Sequence, residues 1–343
     1  MATEAMPTRR KQTATAAVVV AVPLAVFLPV AMTDFHVFLL SQTLVFGIAL
    51  FGLVIVAGLL GQPSLMHAEL MGLGAAVTAT LVQAYGWNYW SAAIASVITG
   101  YAAGLVLGLP ALRIRGLALA IVTLAIAQTF DQLVLPSTLL SGTVGSRTIP
   151  RPTLGPFSLS SDRAFYQVTL AVFLAALWLV LSIRRGKLGR MFTAIRESEK
   201  GAAASGASLT RYKLLGFAAS AGFAAVAGAL YVGLIGSYTA APYDWLHSIV
   251  MLAMLSIMGS ATVSGSIMAA FTIIDMPQIL QQVKLLDQLT QFTSGLTLII
   301  QTIMAPEGAI PMTAKSSRRL AARVKGWMEA APETQVQSEG DPG

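Results

Sequence analysis

The chain has 343 residues, of which 55% are hydrophobic and only 11% charged, and its mean hydropathy is +0.72. Soluble domains carry about 25% charged residues, so the composition is that of an integral membrane protein, and the net charge of +7 reads as basic loops on one membrane face rather than a nucleic-acid surface. No cysteine is present, the three histidines (His36, His67, His247) are far apart, and there is no GxxxxGK[ST] loop; this excludes thiol chemistry and a cysteine metal site, makes a metal site on one helix improbable, and places any nucleotide chemistry on another chain.

Residues 1–13 are polar, with Arg9, Arg10 and Lys11. An apolar run over 14–32, interrupted by Pro23 and Pro29, is too long for a signal-peptide core of about 7–15 residues and is expected to be a first span. A second span is expected over 37–60, ended by the breakers Gly61-Gln-Pro-Ser64. A less oily segment, 67–83, carries Glu69 and several glycines. Tyr85, Trp87, Tyr89 and Trp90 then form an interfacial aromatic belt. The fourth span, 91–109, has Gly100, Gly104 and Gly108 at the small-xxx-small spacing that lets helices approach closely. Arg113 and Arg115 mark a basic turn. The fifth span, 117–135, carries Thr123, Gln128, Asp131 and Gln132. Residues 136–164 form a loop rich in Pro, Gly and Ser, and a sixth span follows over 165–183.

The next stretch, 184–213, is a basic island between two apolar runs, with eight Lys or Arg against Glu197 and Glu199. Leu188, Met191, Phe192 and Ile195 fall at i, i+3, i+4 and i+7, the apolar stripe of a short helix. Arg190, Thr193, Arg196 and Glu197 lie off that stripe. Gly201-Ala-Ala-Ala-Ser-Gly206 is nearly bare, so a partner's surface can come close to its backbone. Charge alone suits equally an anchor to anionic lipid; the stripe followed by small residues points to a protein partner.

A seventh span is expected over 214–235. Residues 246–280 exceed the roughly 20 needed for one crossing and are divided at Gly259–Gly265 into two short or broken helices. The last span is 289–304, and the tail 312–343 begins basic and ends polar. The expected fold is an all-α integral membrane protein of about ten transmembrane helices (8–10), some short or broken. Six crossings before the island and four after it place both termini, the Arg113/Arg115 turn and the island on the cytoplasmic side, with 18 of the 22 Lys and Arg. The broken stretches at Gln62–Gly74 and Gly259–Gly265, with an echo between Gly100–Gly104 and Gly222–Val226, suggest two inverted repeats. Glu69, Asp131 and Asp275 are the intramembrane acids; scattered as they are, they do not make the relay that a proton-coupled carrier needs.

Several stretches together resemble one family: Gly61–His67 with Gly72-Leu-Gly74, Leu109–Gly116 running into Leu119–Ala125, Gly189–Glu197 through Gly206, Thr210–Phe217, Ala227–Tyr231 and Pro306-Glu-Gly308. Over about residues 35–311 the chain is similar to the LivM-type permease subunits of branched-chain amino-acid ABC importers. The resemblance implies a permease domain over 14–311, with 184–213 as its cytoplasmic coupling loop and 1–13 and 312–343 as cytoplasmic tails. It implies a bacterial plasma-membrane location and no catalytic, cofactor or metal residues on this chain; ATP and Mg are used by the partner ATPase. The implied partners are a second, LivH-like permease subunit, two cytoplasmic ATPase subunits and an extracytoplasmic solute-binding protein. Arg190, Ile195, Arg196, Glu197, Glu199, Ala202 and Gly206 match the ATPase-coupling segment. Three stretches depart from the family pattern. Ala203 stands where a Glu is usual, and Met258–Gly265 and Ser141–Ser146 replace a glycine-rich turn and an external motif. The first leaves open the detail of coupling, not its location; the last two leave open whether the solute is a branched-chain amino acid, urea, an amide or an aromatic acid. Gln62, Ser64, His67, Thr123 and Gln128, polar groups near the broken segments, are the expected translocation path. The alternative is a stand-alone secondary carrier or channel, which would need one of the intramembrane acids for coupling.

Overall fold

A computed structural model of the chain describes Pro29 and residues 32–282, apart from 115, 155–156 and 159–160. The expected first span (14–32), last span (289–304) and both tails lie essentially outside the described residues, as do Arg115 and Pro306–Gly308. Eight of the ten expected membrane segments are therefore in view, and all are helical. They are α1 (Asp34–Leu53, continued as a π-helical turn Val54–Leu59), α2 (His67–Tyr85), α3 (Tyr89–Leu107) and α4 (Leu117–Thr129, with a π turn Phe130–Val134). After a four-residue α5 (Thr138–Ser141) come α6 (Asp162–Arg185), the island helices α7 (Lys187–Glu197) and α8 (Glu199–Ala204), then α9 (Leu209–Ile235), α10 (Trp245–Gly259) and α11 (Val263–Gln282).

The helix ends follow from local chemistry. Asn88, Ser161, Ser198 and Asp244 accept backbone N–H bonds at the starts of α3, α6, α8 and α10. Burial pushes the Asp244 carboxyl up, but hydrogen bonds from the His247 backbone and ring outweigh it and hold the group below its usual value. Arg184 and Arg185 sit in the last turn of α6, where the helix dipole favours cations. Gly86 and Gly236 close α2 and α9 in the left-handed conformation, with φ of 67° and 77°.

Five described helical stretches are long and apolar enough to cross a membrane: 34–59, 89–107, 117–134, 162–185 and 209–235. Two of them are central: 78% of the apolar window of α1 with its π turn, and of α9, is buried, against 22% for α3 and α4. Small residues permit this. Gly74 stands so close to α9 that a β-carbon there would lie 2.5 Å from Ala225 Cα, and one at Gly104 would lie 2.6 Å from Ala221 Cβ. Gly100, Gly104 and Gly108 meet Ala225, Ala221 and Phe217 in reverse order, so α3 and α9 are antiparallel. The glycine seam expected within the fourth span thus faces α9. On the other side, Gly47 of α1 admits the ring of Phe173 from α6.

Gly58, Gly108 and Gly186 mark one end of the bundle, with the island packed beneath it. At the other end the loop after α4 is more ordered than its Pro/Gly/Ser content suggests. It contains β1 (Ser146–Thr148), β2 (Thr153–Leu154) and β3 (Phe157–Ser158), so the fold is mostly helical rather than all-α. β1 pairs antiparallel with β4 (Ser237–Thr239), Arg147 opposite Tyr238, and β2 pairs with β3. The Arg147 guanidinium bonds the Leu139 and Leu140 carbonyls at 2.8 and 2.7 Å. Residues 246–280 do divide into two helices, at Gly259. The turn between them packs against Gly58, at the end where the first break begins. Repeats related by a two-fold axis in the membrane plane place equivalent breaks at opposite ends, so these two interruptions do not support an inverted repeat.

Candidate functional site

The break between α1 and α2 is the first part of the site. The π turn leaves α1 with Gln62 N–H bonded to the Val56 carbonyl at 2.9 Å, and Gly61 turns the chain with φ of 71°. Residues 62–66 then run non-helically back along the bundle, so α2 starts beside Ala49 and Gly52, well inside α1. Backbone freed from a helix inside a membrane must find partners from protein or line a cavity. Here side chains supply them. Thr123 Oγ1 on α4 accepts from Leu65 N–H at 3.1 Å and donates to the Ala120 carbonyl at 2.9 Å. Ser248 Oγ on α10 accepts from Ala68 N–H at 2.8 Å and donates to Glu69 Oε2 at 2.6 Å. His67 Nε2 reaches the Ala49 carbonyl at 2.7 Å, and its ring fits only because position 52 is glycine.

Of the five expected path residues, the structure brings Gln62, Ser64, His67 and Thr123 together, all buried along this break. Gln128 stands apart, exposed on α4. Gln62 Oε1, His67 Nδ1 and Glu69 Oε1 are buried without a hydrogen-bond partner. With Nε2 committed as donor, His67 Nδ1 is an acceptor when the ring is neutral, so the break carries spare acceptors. Ser248 escaped the sequence reading because a serine in an apolar helix gives no signal. Asp275, the third intramembrane acid, is held by Thr43 Oγ1 of α1 at 2.5 Å.

The island is the second part. The second half of its apolar stripe is turned toward this chain rather than a partner, while Leu188 is exposed and Met191 half-buried. Phe192 and Ile195 are 1% and 2% exposed, and the Phe192 ring lies over Gly216 of α9. Ile195 and Ala202 therefore support the island from beneath. Arg190, Glu197 and Gly206 face outward, as do Thr193, Gly201 and Ala203–Ser205. Gly206, with φ of 84°, has open space where a side chain would project. Lys213, 1% exposed, bonds Glu199 at 2.9 Å and the Ala111 carbonyl at 3.0 Å, which ties α8, α9 and the turn before α4 together. Arg196 is half turned in: its guanidinium donates to the Gly58 carbonyl. A cavity of about 360 Å³ opens between island and break, lined by Gly61, Gln62, Gly116, Arg196 and Glu199 among others.

A close-packed bundle with an interrupted, polar-lined segment and an amphipathic helical loop at one end describes a multi-pass membrane transport subunit. The chain belongs to the family of permease components of branched-chain amino acid transport systems, whose model matches residues 35–302. It is 28% identical over 327 residues to the high-affinity branched-chain amino acid transport system permease protein LivM of Salmonella typhimurium, covering 88% of this chain and 76% of that protein. It is 29% identical over 314 residues to LivM of Escherichia coli, covering 84% and 73%. No solved structure matches the chain. These relatives are named as permease proteins of a transport system.

Proposed function

We propose that the chain is the membrane-spanning permease subunit of an ATP-driven ABC importer. It moves a branched-chain amino acid, or a related small polar solute such as urea, an amide or an aromatic acid, into the bacterial cytoplasm. A LivH-like permease completes the passage, two cytoplasmic ATPase subunits bind ATP and Mg, and an extracytoplasmic binding protein delivers the solute. The island end is cytoplasmic by its charge, as are both tails. The carrying observation is the island's division of labour. Phe192, Ile195 and Ala202 seat it on the bundle, while Arg190, Glu197 and the bare Gly201–Gly206 surface stay outside for the motor. Such a helix transmits a partner's movement by docking in its groove.

The passage follows the break at Gln62, Ser64, His67 and Thr123, whose spare acceptors suit a solute rich in N–H donors. Gln128 contributes only where α4 faces that passage. A stand-alone carrier is less well supported, because Glu69 and Asp275 are each bonded to a serine or threonine of a neighbouring helix. The test is Gly206→Trp, which places a large side chain on the outer surface and off the packed core, with Gly206→Asn, a small residue that tolerates the left-handed backbone, as the control for strain in the turn. The tryptophan variant inserts normally, and solute-stimulated ATP hydrolysis by the assembled complex is lost. Normal stimulation overturns the coupling assignment.

A further inference from the structure

We infer that Arg196 acts inside this chain, as a strut that ties the island to the membrane break, and is not itself a contact to the motor. The Gly58 carbonyl it holds is one of those left free where the α1 π turn ends, a position that attracts a cation. The stem of Arg196 lies flat on the next turn: a β-carbon at Gly61 would come within 2.7 Å of Arg196 Cγ. Gly58 also packs closely against the Ser260 carbonyl in the α10–α11 turn. Arg196 thus grips a turn that two other elements meet.

Beyond Gly61 the chain is tied lightly. Gln62 N–H bonds Val56, Leu65 N–H bonds Thr123, and no helix begins until His67. Gln62 itself lines the cavity of about 360 Å³ beside Arg196. The rest of the island is fastened elsewhere, α8 to α9 through Glu199–Lys213 and α7 to α9 through Phe192. Only Arg196, among the described island residues, hydrogen-bonds the turn at the mouth of the break. A push on α7 therefore reaches Gly58–Gln62 through Arg196. With the strut in place the 62–66 segment follows the island; without it the island moves and the segment stays.

This inference rests on the permease reading, and the experiment separates the two. The chain has no cysteine, so Arg196→Cys introduces its only thiol. The complex with its ATPase and second permease is purified, reconstituted with the binding protein, and assayed for co-purified ATPase and for ATP-driven uptake. The strut predicts an unchanged ratio of ATPase to permease and uptake lowered about tenfold or more, the size of one charge-assisted hydrogen bond. Aminoethyl methanethiosulfonate, which rebuilds a cation at 196, restores uptake; the neutral methyl reagent does not. The unsubstituted complex, treated alike, serves as the control. Gly61→Ala, which displaces the stem and strains the turn, gives the same assembled but uncoupled complex without touching any charge. Loss of the ATPase from Arg196→Cys, uptake unaffected in either variant, or equal rescue by both reagents overturns the strut. An unsubstituted chain that brings down no ATPase overturns the permease reading beneath it.

Discussion

Glu199→Ala removes one partner of the buried Glu199–Lys213 pair and leaves the ammonium group of Lys213, a residue 1% exposed on α9, without its carboxylate. Breaking a buried pair from one side costs about 3–5 kcal/mol, because the remaining charge is uncompensated. The Ala111 carbonyl, 3.0 Å from Lys213 Nζ, still accepts from it, which points to the lower end, about 3 kcal/mol. Replacing both partners with apolar residues of similar size, Glu199→Leu with Lys213→Met, removes the stranded charge. The double variant should then lie within about 1 kcal/mol of the native chain. Denaturant unfolding of the purified protein in detergent measures both. A single variant that costs under about 1 kcal/mol, or a double variant no more stable than the single, refutes the claim that this pair pins the island to the bundle.

Three further outcomes follow from the packing. Gly74→Val drives side-chain carbons into Ala225 of α9 and should cost about 1–3 kcal/mol or more by overpacking, read as a lower unfolding midpoint, whereas Gly86→Asn at an open left-handed cap should change it little. Thr123→Val keeps the shape but orphans Leu65 N–H. It should lower uptake with only about 1–3 kcal/mol of lost stability, and Thr123→Ser should restore uptake. Phe192→Ala empties the contact over Gly216 and should destabilise by about 3–5 kcal/mol, while Thr193→Ala on the outer face should stay within about 0.5 kcal/mol.

Much of the helical layout was legible from hydropathy. The described spans begin and end within a few residues of the apolar runs, and the split at Gly259 follows from a stretch too long for one crossing. The buried polar cluster of Gln62, Ser64, His67 and Thr123 was legible as polar groups beside breakers, because unsatisfied backbone in a membrane attracts hydroxyls and imidazole. What stayed hidden depends on partners distant in sequence. Ser248 meets Glu69 across 179 positions, and β1 finds β4 only after the chain has crossed the bundle twice, down α6 and back up α9. The stripe of α7 was visible, but its destination was not. Periodicity says that Phe192 and Ile195 share a face, and only the fold shows that this face rests on Gly216 and its surroundings. Arg196 is the same case: off the stripe by spacing, yet long enough to turn back to Gly58.

Uptake by the reconstituted complex, with active ATPase subunits or with subunits unable to hydrolyse ATP, bears most directly on the central claim that this chain is a gate moved from outside. The account predicts solute accumulation that needs ATP hydrolysis, is indifferent to ion gradients, and disappears with the inactive ATPase or with Gly206→Trp. Accumulation by this chain without an ATPase, driven by a proton or sodium gradient and abolished by neutralising Glu69, Asp131 or Asp275, would contradict it.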